Sequence, residues 1–499
     1  MKHAFYKILF GIALSVSAAP VAFAQEAIVV NGSSPQLSME ETAAMVEEAS
    51  LDFYRDEDLS RELEDEIVRV TEVVPAVDYA TEEREFYVLT HDGMSMRFFM
   101  EVIGEPGEDG RYPLFITLHG GGGGPAEGNN DQWIDMFNYY REAVDSGIYV
   151  ACRGITDTWD LHFQEDSYPL YDRLIEAMCV NYGASPDQVY LLGFSAGGDG
   201  VYQIAPRLAD RFAAVNMSSG HPNGVQLWNM ANCPISLQAG IRDYYDEGVL
   251  RSVRAAQFEE TLSGYHEKLG SGYEHKVWIH VPEGHNYTDS EDSLSLVLED
   301  PEDFARRAEP EDMLDTFLDV MEECGMERDV SELSYFYPGS DEAFDSGILE
   351  AVTKKLGLEV VEENTNAVRY VTQFVRDPAP EQIVWDLGTR AKKREKDSFY
   401  WLEAQPDTDQ GIIVASVDRD TNTITVEPDE NVNGDLAILF HPALVDVSKP
   451  VTIQTPEGEY TVQVSPSEEF LRESILENGD PELACVGKIL YSDLQGDLQ

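Results

Sequence analysis

Short apolar runs alternate with helical periods through the middle of the chain, between residues 81 and 284. Residues 86–89 and 97–102 are separated by the turn His91-Asp92-Gly93 and predict an antiparallel pair of strands. Further on, helical periods such as residues 171–182 separate the apolar runs 114–118, 147–151, 188–192, 213–217, 235–239 and 276–281. Strands that alternate with helices in this way predict an α/β fold with a doubly wound, mainly parallel sheet.

The two ends of the chain differ from the middle in composition and in the elements that they predict. Ser38 and Glu41 form a capping-box pattern, and residues 38–70 are rich in Glu, Ala, Leu and Arg, which predicts an N-terminal helical segment. After a helix-like tract at 343–356 and a Pro-rich break at 377–380, short β-branched runs predict a smaller β-rich C-terminal domain. These runs are 383–387, 411–417, 423–426, 436–440, 451–455 and 460–464, and a helix is predicted at 467–476.

The N-terminus has the features of an export signal. Lys2 and Lys7 precede the apolar run 8–19, and Ala22-Phe23-Ala24 places small residues at the two positions that determine cleavage. The run is shorter than the ~20 residues that span a bilayer, so a secreted or periplasmic protein without a membrane span is expected, cleaved after Ala24. The predicted regions are a signal peptide (1–24), an acidic helical segment (25–80), the α/β domain (81–330), a helical linker region (331–380) and the β-rich accessory domain (381–499).

The charge of the chain limits its partners. The 499 residues include 94 Asp and Glu against 34 Lys and Arg, a formal net charge of −60. Such a surface repels phosphates, so the chain is a poor partner for an anionic membrane and no nucleic-acid partner is expected; the charge is common in proteins from salty surroundings. The five cysteines are an odd number without CxxC spacing. Neither a disulfide framework nor a zinc site is therefore expected.

The motif Gly193-Phe194-Ser195-Ala196-Gly197 follows the apolar run 188–192 and precedes a helical period. A strand-to-helix turn needs glycine on both sides so that a tight elbow can project the serine oxygen. This context, more than the motif itself, predicts that Ser195 is a nucleophile. The competing interpretation is an ordinary Gly-rich turn.

A run of glycines follows another predicted strand, in His119-Gly120-Gly121-Gly122-Gly123-Gly124. Acyl transfer develops negative charge on a carbonyl oxygen, which must meet preorganised N–H donors. We predict an oxyanion hole made by the N–H of Ala196 and that of Gly121 or Gly122. The run has neither the G-K-[ST] nor the G-x-G-x-x-G pattern of phosphate loops, and a merely flexible loop is the alternative.

A serine nucleophile needs a histidine base, and the histidine needs a carboxylate that fixes its tautomer. His285 follows the last predicted strand, at the sheet edge where ligands bind in open α/β sheets. Asp243 follows the preceding strand and is the predicted acid, with Asp246 as the fallback. Trp159, His162 and His221 lie in loops after other strands and are predicted to line the substrate pocket, although a packed loop would show the same pattern.

The glycine run, residues 193–197, residues 240–243 and Gly284-His285-Asn286 together resemble the α/β-hydrolase superfamily over about residues 81–300. The stretch 193–222 is similar to exported esterases of the poly(3-hydroxybutyrate) depolymerase-like or dienelactone hydrolase-like branch. The resemblance implies a carboxylic ester hydrolase that works through an acyl-serine intermediate with no metal or organic cofactor. Its substrate would be a small or polymeric ester.

Two other functions are compatible with the sequence. The same residues could cut peptide bonds, as in prolyl-oligopeptidase-like enzymes. Alternatively, the chain could be chiefly a binding module whose β-rich domain holds a polymer. The sequence leaves the acyl group, the oligomeric state and the role of the accessory domain open.

Overall fold

The computed structural model describes residues 27–241, 243–245, 249–280, 283–287, 289, 293–297, 319, 322–323, 355 and 359–494. The strands up to residue 363 are numbered in chain order. They are β1 (Ile28–Val30), β2 (Ile67–Val74), β3 (Glu82–His91), β4 (Met94–Ile103), β5 (Tyr112–Leu118), β6 (Gly147–Cys152), β7 (Ala184–Phe194), β8 (Ala214–Ser218), β9 (Ile235–Gly240), β10 (Tyr244–Tyr245), β11 (Val249–Leu250), β12 (His275–His280), β13 (Ser293–Val297) and β14 (Glu359–Glu363). Within the described residues, eleven of them form one sheet in the order β14-β13-β12-β9-β8-β7-β5-β6-β4-β3-β2.

The centre of this sheet is parallel and its two sides are antiparallel. Strands β6, β5, β7, β8, β9 and β12 pair in parallel. On one side β2, β3 and β4 pair antiparallel, and the turn at Asp92 and Gly93 between β3 and β4 has positive φ at both positions, as a two-residue hairpin turn requires. On the other side β12, β13 and β14 are antiparallel. The mixed α/β architecture that the sequence predicts is therefore confirmed.

Helices cover both faces of the sheet because its central strands are apolar on both sides. The helices are α1 (Met39–Arg55), α2 (Glu57–Glu66), α3 (Ala126–Tyr139), α4 (Ser167–Asn181), α5 (Ala196–Ile204), α6 (Arg251–Leu269) and α7 (Ala367–Val371). Ile116 and Leu118 of β5 belong to the same hydrophobic cluster as α4, α5 and α6. Phe115, which points the other way, belongs to the cluster with α3 and α7.

The C-terminal part of the chain is rich in strands, as the turn-divided runs predict. It contains β15 (Gln382–Asp386), β16 (Ser398–Phe399), β17 (Leu402–Ala404), β18 (Ile412–Asp418), β19 (Thr423–Pro428), β20 (Leu436–Leu439), β21 (Val451–Thr455), β22 (Gly458–Val464), β23 (Lys488–Leu490), α8 (Glu468–Asn478) and α9 (Tyr491–Leu494). They form a six-stranded sheet β1-β22-β21-β19-β18-β15 and a four-stranded sheet β16-β17-β20-β23. Their core side chains join the same cluster as those of α4 and α5.

Two predicted boundaries are wrong. The helical segment predicted at 38–70 ends at Glu66, and residues 67–74 form the edge strand β2 of the large sheet, while β1 pairs with β22 in the C-terminal sheet. The N-terminal segment thus connects both sheets and is not wholly helical. In the predicted linker region, β14 is the other edge strand of the large sheet and α7 packs on its face. That part of the region belongs to the α/β domain because the apolar residues of α7 pack on one face of the sheet.

Some predictions fall on residues that the structure does not describe. These are the signal peptide at 1–24, nearly all of the tract at 343–356, Cys324 and Asp246. The other four cysteines are free thiols in the buried core. No helix among the described residues is long and apolar enough to cross a membrane.

Candidate active site

Ser195 lies at the turn from β7 to α5 in a backbone conformation that side-chain-bearing residues rarely adopt. Its φ is 57° and its ψ is −120°. The turn is held because the N–H of Ser195 donates to the Ser218 carbonyl at 2.9 Å and the Ser195 carbonyl accepts from the N–H of Asp199 at 3.0 Å. Backbone strain of this kind, of order 1–3 kcal/mol, persists only where the surrounding structure fixes it. The elbow therefore holds the Ser195 hydroxyl at the carboxyl edge of the parallel strands.

Both glycines of the motif are required by close backbone contacts. A Cβ at Gly193 would lie 2.2 Å from the carbonyl oxygen of Gly197. A Cβ at Gly197 would lie 2.0 Å from the carbonyl oxygen of Leu118 on the neighbouring strand. These distances are far below van der Waals contact, so no side chain fits at either position without moving the backbone.

The structure brings Ser195, His285 and Asp243 together from three strand ends. His285 Nε2 is 2.9 Å from Ser195 Oγ, and its Nδ1 is 3.0 and 3.1 Å from the two carboxylate oxygens of Asp243. The side chain of Asp243 is fully buried and that of His285 is 4% exposed. An Nδ1–H that donates to the carboxylate leaves Nε2 as the acceptor for the serine proton. The three side chains are thus arranged as nucleophile, base and orienting acid.

The Asp243 carboxylate remains ionised although it is buried. Burial raises the pKa of Asp243, but the opposing effects of His285 and Arg251 are together larger, so the pKa lies below its ordinary value. Arg251 Nη1 donates to Asp243 Oδ1 at 2.8 Å. No sequence pattern places Arg251 at this position, because it is the first residue of α6 and belongs to no motif.

The glycine run lies against Ser195 and contains Gly121 and Gly122, the two residues predicted as alternative oxyanion donors. A Cβ at Gly120 would lie 3.2 Å from the Cβ of Ser195. The N–H of Gly122 donates to Asn129 Oδ1 at 2.8 Å, so Gly122 is not available as an oxyanion donor and that alternative is corrected. Gly121, whose φ is 98°, stays the predicted donor of the run, and the other predicted donor, the N–H of Ala196, lies in the first turn of α5. The partial positive charge of a helix N-terminus favours an oxyanion there.

Buried polar side chains hold the glycine run in place. Asn129 bridges it to Asp157, because Asn129 Nδ2 donates to Asp157 Oδ1 at 2.9 Å. Asp157 is also hydrogen-bonded to Arg153, which is 2% exposed and donates through Nε to Asn130 Oδ1 at 3.0 Å. Sequence reasoning missed this support, although the Asn-Asn-Asp run at 129–131, separated from the glycine run by four residues, and an arginine at the end of an apolar strand were available signals.

Two neutral histidines lie beneath the run. Burial lowers the pKa of His119 well below its usual value and that of His162 to about 3. His119 Nδ1–H donates to the Gly120 carbonyl at 2.5 Å, and His119 Nε2 accepts from the N–H of Gly154 at 3.1 Å. His162 Nε2–H donates to the His119 carbonyl at 2.9 Å, and its side chain is fully buried. The prediction that His162 lines the substrate pocket is therefore wrong, because it supports the loop from below.

Trp159 lies against the glycine run, and His221 is bonded to the first turn of α5. Trp159 is 56% exposed, and its Cα is 3.2 Å from the point that a Cβ of Gly122 would occupy. The N–H of His221 donates at 2.6 Å to Asp199, which follows Ser195 by one turn of α5. Their role in substrate binding stays a prediction.

Asn129→Ala is expected to lower kcat about 10- to 100-fold with little change in KM, because the glycine run loses the hydrogen bond that holds Gly122, and the predicted donor Gly121 beside it is then no longer fixed in direction toward the developing oxyanion. Steady-state kinetics on a p-nitrophenyl ester measures this change. Asn138→Ala, at an exposed position of the same helix α3, is the matched control and should behave as the wild type. An unchanged kcat in Asn129→Ala would show that the loop needs no such support.

The sequence matches no protein-family model and no curated protein. Among solved structures, the chain is similar to Est1E from Butyrivibrio proteoclasticus, with 13% identity over 40% of this chain and 90% of that one and a TM-score of 0.27. An acetyl xylan esterase from Paenibacillus sp. R4 shows 12% identity over 47% and 90%, with a TM-score of 0.28. A thermostable esterase shows 14% identity over 63% and 64%, with a TM-score of 0.29. At these values the likeness decides neither fold nor function, which rest on the chain's own geometry.

Proposed function

We propose that the protein is a serine hydrolase of the α/β-hydrolase superfamily that cleaves carboxylic esters through an acyl-serine intermediate. The observation that carries this proposal is the continuous hydrogen-bonded path from buried Asp243 through His285 to Ser195. Its sequence order, Ser before Asp before His, and the strand-to-helix elbow are those of α/β-hydrolases.

The geometry supports a two-stage reaction. Ser195 Oγ attacks the ester carbonyl carbon while His285 Nε2 takes its proton, and the carbonyl oxygen becomes an oxyanion held by the N–H groups of Ala196 and Gly121. The intermediate collapses as the C–O bond to the alcohol breaks and His285 returns the proton to the departing oxygen. Water, deprotonated by His285, then attacks the acyl carbon, and Ser195 leaves with its proton restored.

The finer assignment rests on the sequence. The stretch 193–222 favours the poly(3-hydroxybutyrate) depolymerase-like or dienelactone hydrolase-like branch, and the N-terminal pattern favours export with cleavage after Ala24. Esters are therefore proposed in preference to peptides. The β-rich C-terminal region is proposed as an accessory part of the same enzyme.

The test is hydrolysis of a p-nitrophenyl ester series from acetate to octanoate by the mature protein, residues 25–499, alongside a proline-containing peptide substrate. We expect turnover of esters with an optimum in acyl length, and reaction of a fluorophosphonate at Ser195, located by mass spectrometry of the labelled peptide. Turnover of the peptide alone would replace the ester assignment with a peptidase. If neither turnover nor labelling is observed, the assignment as a serine hydrolase is wrong.

A further inference from the structure

Arg251 is attached to the triad acid through both backbone and side chain. Strands β10 and β11 pair antiparallel in a register that joins Tyr244 to Leu250, so residues 243 and 251 face each other at the base of this hairpin. The N–H of Arg251 donates to the Asp243 carbonyl at 2.9 Å, and its Nη1 donates to Asp243 Oδ1 at 2.8 Å. The side chains are 7% and 0% exposed. The ion pair is thus built into the backbone and is shielded from solvent.

The same carboxylate oxygen serves two cations during the proposed reaction. Asp243 Oδ1 accepts from Arg251 Nη1 and, at 3.0 Å, from His285 Nδ1. In a serine triad the acid stabilises the imidazolium that forms when the base takes the serine proton. A guanidinium on that oxygen neutralises part of the negative charge, and it is close enough to repel the imidazolium itself.

We infer that Arg251 is a positioning residue that sets the working pH of the triad: by sharing Asp243 Oδ1 with His285, it weakens the hold of the acid on protonated His285. The base is then free to accept the serine proton at a lower pH than Asp243 alone would allow. This inference rests on the proposed function, and it deepens it by assigning a working range that extends toward acid.

Two titratable groups interact with this pair, Asp199 with Arg251 and Tyr287 with Asp243, and other titratable groups lie next to Tyr287. Asp199 of α5 interacts with Arg251, and burial raises the pKa of Asp199 to about 6. His280 of β12 stacks on Tyr287, and burial lowers the pKa of His280 to about 4, while burial raises that of Tyr287 beyond its ordinary range. Burial also raises the pKa of Asp289 to about 7. Because Asp199 interacts with Arg251 as Asp243 does, a variant of Asp199 is included as a control.

The experiment follows the acidic limb of the pH profile for wild type, Arg251→Gln, Arg251→Met and Arg251→Lys. Two rates are measured from pH 4 to pH 10: kcat/KM on a p-nitrophenyl ester, and the rate at which a fluorophosphonate labels Ser195. The two neutral variants are expected to move the limb about one pH unit toward alkali, which is a tenfold change in proton affinity. Arg251→Lys keeps the charge and should restore the wild-type limb even where its plateau is lower.

A limb that stays in place while only the plateau falls would overturn the inference, since a merely structural role predicts that result. Circular dichroism and thermal unfolding identify folded variants, and either neutral variant alone carries the test. Asp199→Asn should leave the limb near its wild-type position, and an alkaline shift as large as that of Arg251→Gln would assign the limb to Asp199 and overturn the inference. If the wild-type protein is labelled at Ser195 but hydrolyses no ester, the proposed ester hydrolysis is wrong, and the pH dependence of labelling still tests the role of Arg251. If the wild-type protein is not labelled, both the proposed function and the inference about Arg251 are wrong.

Discussion

Replacing Ser195 with alanine is expected to lower kcat for ester hydrolysis by roughly 10⁶-fold, which leaves only the contribution of substrate binding and oxyanion stabilisation. In the proposed reaction this hydroxyl forms the acyl bond, and its oxygen lies 2.9 Å from His285 Nε2. KM should change little because the elbow and the glycine run keep their backbone positions. The measurement is single-turnover and steady-state kinetics with an ester of optimal chain length.

His285→Ala and the double variant provide the sharper comparison. Residues that act as one unit are strongly non-additive, so His285→Ala should lose about as much as Ser195→Ala, and the double variant no more than either. His266→Ala, an exposed histidine of α6, is the matched control and should retain full activity. If the loss of activity in the double variant equals the product of the two single losses, Ser195 and His285 do not act as one unit.

The three residues of the triad could be predicted because each follows an apolar strand of a parallel sheet. The carboxyl ends of such strands meet at one edge, so strand order alone brings Ser195, Asp243 and His285 close together. Asn129 and Arg251 could not be predicted in the same way. Their contacts depend on the direction of the first turns of α3 and α6, and no periodic pattern in the sequence encodes that direction.

The same reasoning explains which strands were missed. Central strands such as β5 and β7 are continuous apolar runs because both faces are buried. The edge strand β2 carries Arg69 and Glu72 on exposed positions and directly follows a Glu-rich helix, so its composition resembles that helix. Edge strands show weak alternation when one or both faces are open to solvent, and tertiary pairing with β3 decides their structure.

A buried ionic network joins the large sheet to the C-terminal region. Arg376, which follows α7, is fully buried and bonds Asp187 of β7 at 2.7 Å and Asp480, after α8, at 2.8 Å. Arg211 bonds the same Asp480 at 3.0 Å. Burial raises the pKa of Asp480, but the charges of Arg376 and Arg211 outweigh it, so its pKa lies below the ordinary value. The network therefore holds together elements that are about 290 residues apart along the chain, from Asp187 to Asp480.

Arg376→Met is expected to lower the free energy of unfolding by about 3 kcal/mol at pH 7, because it removes the cation bound to partly buried Asp187 and leaves buried Asp480 with Arg211 alone. Arg369→Met, an exposed position on the neighbouring α7, is the matched control and should change it by less than about 0.5 kcal/mol. Urea unfolding followed by tryptophan fluorescence measures both. A loss below 1 kcal/mol in Arg376→Met would mean that the carboxylates find other partners or take up protons at neutral pH.

The pH dependence of this loss follows from the direction of each shift. Asp480 has a depressed pKa in the folded protein, so its contribution is present above the unfolded value of about 3.9 and is lost as pH falls through the folded value. Burial raises the pKa of Asp187, so loss of Arg376 makes its ionised form still less favourable in the fold, and acid relieves that cost. The difference in free energy of unfolding between wild type and Arg376→Met therefore narrows in two ranges: above about pH 4 as Asp187 takes up a proton, and below about pH 4 as Asp480 does. A gap that stays constant from pH 7 to pH 3 would assign the loss to packing of the arginine side chain and not to its charge.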